Sequence, residues 1–216
     1  MTILGDLMAT HNIYELDVTL KDFKPTITRT LLINGERTLA YLAYTLIASF
    51  ELYGSHLFEF NQDLDIGRPT TLTYAFPIPD NLESFVEEGH QSVLSTKVNS
   101  LLGHPELTKQ TNFVYDYGDY WEFDLKVKSV QTQDISLKQI PTILAGQGFG
   151  LIEDIGGLGG LQEYATAYKA GNLDRYHEWL GDDLPDIGSF DIEMANKKLK
   201  PEISLIKGQH EDIDWL

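Results

Sequence analysis

The sequence predicts an α+β protein, with a mixed or antiparallel β-sheet in a roll-like arrangement, helices packed on it, a β-β-α start and a helical C-terminal third. Three observations predict it. Residues 13–20 alternate apolar and polar, residues 39–50 place apolar side chains three and four apart, and beyond residue 160 short helical patterns are separated by glycines.

In the first element, Tyr14, Leu16, Val18 and Leu20 fall on one side and Glu15, Asp17 and Thr19 on the other, as in a half-buried strand. Lys21 to Pro25 reads as a turn, and Ile27 to Ile33 is extended again before Asn34-Gly35, a dipeptide suited to positive φ. Thr38 then caps a helix whose stripe is Leu39, Leu42, Ala43, Leu46, Ile47 and Phe50, ended by Tyr53-Gly54. SHLFEF (55–60) and TLTYAF (71–76) read as strands separated by the polar loop NQDLDIGRP. Asp80 and Glu83 form a capping box for a helical region to about Leu102, weakened by Gly89. Phe113 to Asp116 is a strand, Tyr117-Gly118-Asp119 its turn, and Tyr120 to Val130 the return strand, with Trp121, Phe123, Leu125 and Val127 on one face. ILAGQGFGLIEDIGGLGG (143–160) reads as a long glycine-rich loop. Helices follow at Leu161–Ala170, Leu173–Leu180, with Trp179 and Leu180 packing inward, and Ile192–Leu199 behind an Asp191 cap. The division expected is a single α+β domain over 1–200 and an acidic tail over 201–216.

Composition narrows the function. A formal charge of −17 opposes the phosphate neutralisation on which sequence-independent nucleic-acid binding depends, so generic DNA or RNA binding is not expected. With no cysteine, disulfides, thiolate nucleophiles and cysteine-based metal sites are excluded. MTILGDLMATHNIYELD lacks a basic segment followed by an apolar one, and no apolar run is long enough for a bilayer span. The expectation is a soluble cytoplasmic protein with no membrane partner, acting on a protein or small molecule.

YELDVTLKDFKPTITR, SHLFEF, YDYGDYWEFDL, LAGQGFGLIEDIGG and HEWLGD occur in this order over most of the chain. Together they resemble the Ri-plasmid ORF-three-like family, some of whose members carry the label of insertion-element passengers or resolvase-like proteins. The resemblance implies an α+β roll-like domain and no established reaction. The chain departs from that family's pattern in having Phe58, Tyr120 and Phe123 where members often have histidine, aspartate and histidine, and in lacking cysteines near the glycine-rich loop. Of a His/Cys metal site in the family, His56 with Glu59, Asp116 with Asp119, and Glu153-Asp154 before Gly156-Gly157 remain.

From the residues themselves, Asp116, Asp119 and Asp154 lie in two loops and can converge, with His56, as ligands for a divalent cation. The alternative is that Asp116 and Asp119 are turn formers around Gly118, while Glu153 and Asp154 order the glycine loop. GQGFG (146–150) lacks the spacing of a dinucleotide fingerprint, and Gly156-Gly157 read as turn glycines before a helix. NQDLDIG places its glycine one position late for a calcium loop. Recombinase chemistry requires clustered arginines, and Arg29, Arg37, Arg68 and Arg175 are scattered. Two functions remain: a non-enzymatic binding or interaction module with no cofactor, and a divalent-metal-dependent phosphoryl-transfer or hydrolytic enzyme using the carboxylates. The hairpin tip, Asp116 to Asp119, is expected to order the Glu153–Gly157 loop by accepting its backbone amides.

Overall fold

The computed structural model describes residues 11–77, 90–133, 139–182 and 184–211. They form eight strands in one mixed sheet, ordered β5-β4-β3-β6-β7-β1-β2-β8, and five helices. The strands are β1 (His11–Leu20), β2 (Thr28–Asn34), β3 (Phe58–Asp65), β4 (Pro69–Ala75), β5 (Gln91–Ser92), β6 (Thr108–Tyr115), β7 (Trp121–Gln133) and β8 (Thr142–Gln147). The helices are α1 (Leu39–Ser49), α2 (Val98–Leu102), α3 (Gly157–Ala170), α4 (Asp174–Leu180) and α5 (Ile192–Glu211). Only the short β4–β5 pair is parallel.

The alternation in β1 is realised as predicted: Tyr14, Leu16, Val18 and Leu20 are buried, and they join Leu31, Ile33, Phe58, Phe60, Phe113, Trp121 and Phe123 in a core closed by the apolar stripe of α1. The opposite side of the sheet is polar and internally bonded, as in Lys21–Glu122 at 2.9 Å and Thr30–Asp17 at 2.6 Å. Solvent on one face and core on the other is what the period-two pattern encodes. Thr38 caps α1 by accepting the Tyr41 amide at 3.2 Å.

Arg29 is a charged exception on the core face, fully buried between Ile27 and Leu31. Its guanidinium donates to the carbonyls of Ser49 (2.7 Å), Thr28 (2.7 Å), Gln147 (3.2 Å), Gly148 (3.0 Å) and Phe149 (2.6 Å), and lies 3.9 Å from the Phe190 ring centroid. Burial pushes its pKa down to about 10, so it is still charged at neutral pH. It ties the end of α1 to the turn after β8, where the carbonyls would otherwise be buried without donors.

Several expectations change. β3 runs to Asp65 and β4 begins at Pro69, so most of NQDLDIGRP is strand; Thr71 and Thr73 cross-bond to Asp63 and Asn61 at 2.6 and 2.7 Å. The Asp80–Glu83 capping box lies outside the described residues, and the region before α2 contains β5 and turns rather than continuous helix. Within 143–160, residues 142–147 form an edge strand on β2, and α3 begins at Gly157 instead of Leu161. Glycine disguised that strand: a Cβ on Gly146 would come within 2.5 Å of the Phe190 ring, so the position requires glycine for close packing.

α5 does not stop before Pro201. It continues to Glu211, with Ala195, Leu199, Ile203 and Ile206 buried along one stripe while Pro201 faces solvent. Residues 201–211 are therefore part of a core-packed helix rather than an acidic tail, because burial of that stripe outweighs the local preference against helix before proline. Residues 212–216, including Trp215, lie outside the described residues. Trp179 is 50% exposed, contrary to expectation, whereas Leu180 is partly buried against the core and Tyr176 is buried. Among the described residues no helix is long and apolar enough to cross a membrane.

Candidate functional site

The loop between α1 and β3, the β6–β7 hairpin tip and the loop before α3 meet at one end of the sheet. Asp116 follows β6 in the left-handed region (φ 59°), which aspartate tolerates better than most residues. Its backbone amide donates to the Leu57 carbonyl at 3.0 Å and its carbonyl accepts the Tyr120 amide at 2.7 Å. One carboxylate oxygen, Oδ1, accepts the Gly118 amide at 2.8 Å. The other, Oδ2, lies 3.6 Å from His56 Nε2. Asp116 is thus a turn former through one oxygen and a site residue through the other.

The loop before α3 contributes Glu153 and Asp154. Leu151 donates to the Phe50 carbonyl at 2.9 Å, and Gly150 passes so close that a Cβ would approach that carbonyl oxygen to 2.5 Å. Only glycine permits that approach, at φ 141°. Glu153 is buried, accepting the Tyr53 amide at 2.9 Å through Oε2 and the Tyr115 hydroxyl through Oε1. Burial first, and then the bond to Glu153, push the Tyr115 phenol far above its ordinary pKa, so it remains a donor. Asp154, also left-handed (φ 58°), is exposed and sets Oδ1 3.1 Å from His56 Nε2.

His56 Nε2 is the point where these groups converge: Asp154 at 3.1 Å, Asp116 at 3.6 Å and Glu153 Oε1 at 3.6 Å. The ring rests edge-on to Tyr115, with centroids 5.9 Å apart. One ligating atom each from His56, Asp116 and Asp154 lies within 4.8 Å of the others. Around a divalent ion with bonds of roughly 2.1 Å, adjacent ligand atoms stand about 3.0–3.4 Å apart; the 3.1 Å from His56 to Asp154 is of that size, and the 3.6 Å to Asp116 exceeds it slightly.

Three of the four residues singled out as metal ligands come together, and Asp119 does not join them. Its Oδ2 accepts the Gly156 amide at 3.2 Å, and its carbonyl is packed under Gly157, where a Cβ would come within 2.5 Å. Asp119 and Gly156-Gly157 thus join the hairpin tip to the start of α3. Glu59 lies away from the cluster, accepting Asn61 at 2.8 Å and the Tyr117 hydroxyl at 3.2 Å. In the sequence Tyr115 is indistinguishable from the other core aromatics; only its hydroxyl's bond to buried Glu153 places it beside the cluster. Phe58 and Phe123, where the family resemblance implies histidines, are buried core rings.

Fold and site define a class: an α+β protein whose mixed eight-stranded sheet carries a histidine–carboxylate cluster among the loops at one end. Within that class, the chain belongs to the plasmid pRiA4b ORF-3-like protein family, which it matches over residues 12–198. It is similar to the uncharacterized protein y4hQ of Sinorhizobium fredii (strain NBRC 101917 / NGR234), with 28% identity over 191 residues, 86% of this chain and 90% of the relative. Its fold resembles the crystal structure of MM3350, a protein of unknown function from Methanosarcina mazei Go1, with a TM-score of 0.72 and 22% identity over 86% of this chain and 97% of that one.

Proposed function

We propose that the protein is a binding module built around one divalent cation, held by His56 Nε2 and the carboxylates of Asp116 and Asp154. The observation that carries this reading is the convergence of those three atoms from three separate loops. One imidazole nitrogen and two carboxylates suit Mn²⁺ or Zn²⁺ better than Ca²⁺, which takes six to eight oxygen ligands. Three protein donors also leave coordination positions for an external ligand.

A second reading, a metal-dependent hydrolytic or phosphoryl-transfer enzyme, draws support from Glu153. It is a buried carboxylate 3.6 Å from His56 Nε2 that is not needed as a ligand and is in place to act as a base.

Thermal unfolding of the full chain with Mn²⁺, Zn²⁺, Mg²⁺ or Ca²⁺ tests the cation site. A bound ion stabilises the fold by about 2.7 kcal/mol at a hundredfold excess over Kd. The shift is expected with Mn²⁺ or Zn²⁺, lost in His56→Ala and Asp116→Asn, and retained in Asp119→Asn. No shift with any of the four ions, or one indifferent to His56→Ala, overturns the proposal. Turnover of a generic phosphodiester or phosphomonoester that requires both Glu153 and the ion would favour the enzyme.

A further inference from the structure

Beside the cluster, Ile155, Gly160, Glu163, Arg175, Tyr176 and Trp179 line a depression of about 250 Å³ between α3 and α4. Ile155 directly follows Asp154, so the depression and the cation cluster share a loop segment. Gly160 packs directly against the loop backbone, since a Cβ there would come within 1.8 Å of the Ile155 carbonyl oxygen. Trp179 leaves half of its surface in solvent, offering a bare aromatic face at the rim. The Arg175 guanidinium lies 4.5 Å from the Tyr176 ring centroid and bonds Glu163 Oε2 at 2.9 Å, which holds its planar fork in the lining. Both partners of that ion pair are exposed, so the pair contributes little to stability, and the same nitrogen also donates to the Tyr176 hydroxyl. A flat ring face next to a guanidinium fork is a recognition pattern for a flat, anionic molecule.

We propose that this depression binds a small ligand made of a planar ring and an attached oxyanion, phosphate or carboxylate, with the ring stacked on Trp179 and the oxyanion taken by Arg175. The inference deepens the cation-site reading and rests on it in one respect: in a chain of net charge −17, a bound divalent ion offsets the repulsion that an anionic ligand meets. Binding therefore strengthens when the ion is present.

Isothermal titration calorimetry of the full chain, with and without Mn²⁺, tests it using adenosine monophosphate and nicotinate as probes, and adenosine and inorganic phosphate as the separated halves. At least one whole probe is expected to bind about tenfold or more tighter than either half, and to lose about tenfold or more in Trp179→Ala and in Arg175→Gln. Circular dichroism verifies that both variants fold. Binding of adenosine monophosphate alone marks phosphate as the oxyanion source, and binding of nicotinate alone marks carboxylate. Failure of both probes, equal binding of a half, or indifference to both substitutions overturns the proposal. If Mn²⁺ binds while both probes fail, the cation reading stands and the depression's role falls. If a probe binds equally with and without Mn²⁺ but requires Trp179, the depression stands and its link to the ion falls.

Discussion

At Asp116 the two carboxylate oxygens have separate partners, Oδ1 the Gly118 amide at 2.8 Å and Oδ2 the His56 ring at 3.6 Å. That division explains why an acidic residue in a turn is ambiguous from sequence: the turn occupies one lone-pair direction and leaves the second oxygen for chemistry. Asp119 is different, since its contact is with the Gly156 amide. Asp119→Asn should weaken that charge-assisted bond and loosen the loop. Amide exchange at 153–157 is expected to quicken in the variant, by the same factor with and without a chelator. Exchange that quickens in the unmutated protein on adding chelator, and is unchanged by Asp119→Asn, would show that the ion rather than Asp119 orders the segment.

At the scale of elements, the β6–β7 hairpin carries both core and site. Pairing of Phe113 with Phe123 and of Tyr115 with Trp121 fixes the register that turns Trp121 inward, and the strand delivers Asp116 to its tip. Trp121→Ala should cost about 3–5 kcal/mol, as truncation of a large core side chain does, measured by urea unfolding. A loss below about 1 kcal/mol would contradict the observed burial. α5 makes a comparable anchor at its C-terminal end. The His210 ring stacks on Tyr44 (5.6 Å, 21°) and Phe76 (5.3 Å, 11°) and meets Phe58 edge-on at 5.4 Å. Among the described residues its Nε2 has no hydrogen-bond partner. Burial lowers its pKa, opposed in part by a hydrogen bond to the Gly54 backbone and by the charge of Glu211, which itself accepts from the Tyr44 hydroxyl at 3.2 Å. A histidine whose folded pKa lies below its unfolded value contributes stability in full above the unfolded pKa of about 6.5 and loses it as pH falls through the folded value. The urea midpoint should therefore decline on the acid side of neutrality, and His210→Phe should flatten that decline relative to the parent. Parallel pH profiles for the two proteins would rule His210 out as its source.

For the whole molecule the charge of −17 dominates behaviour at a distance. The arginines form no clustered patch that could follow a phosphate backbone: Arg29 is wholly committed to buried carbonyls, and Arg37, Arg68 and Arg175 stand singly on separate elements, before α1, between β3 and β4, and in α4. Fluorescence anisotropy is expected to show no micromolar binding of generic duplex DNA at about 0.15 M salt, since neutralising phosphates supplies most of such affinity. Tight binding at that salt would contradict the expectation and give the plasmid-derived family description a direct biochemical meaning.

What the sequence alone determined was local and periodic. The alternation of Tyr14 to Leu20, the stripe of α1 with its Thr38 cap, and the inward face of Trp121 were legible because each is set by neighbours two to four residues away. Tertiary structure decided whatever depended on distant partners. The strand at 142–147 exists because β2 offers an edge, and α5 crosses Pro201 because Ile203 and Ile206 find the core. His56, Asp116, Glu153 and Asp154 meet only after three loops close on one another. Sequence could name most of these site residues, since a cation needs such side chains. It could not separate Asp119 from Asp116, because the difference lies in which atom each carboxylate faces, His56 for one and the Gly156 amide for the other, and those partners are brought in from distant parts of the chain.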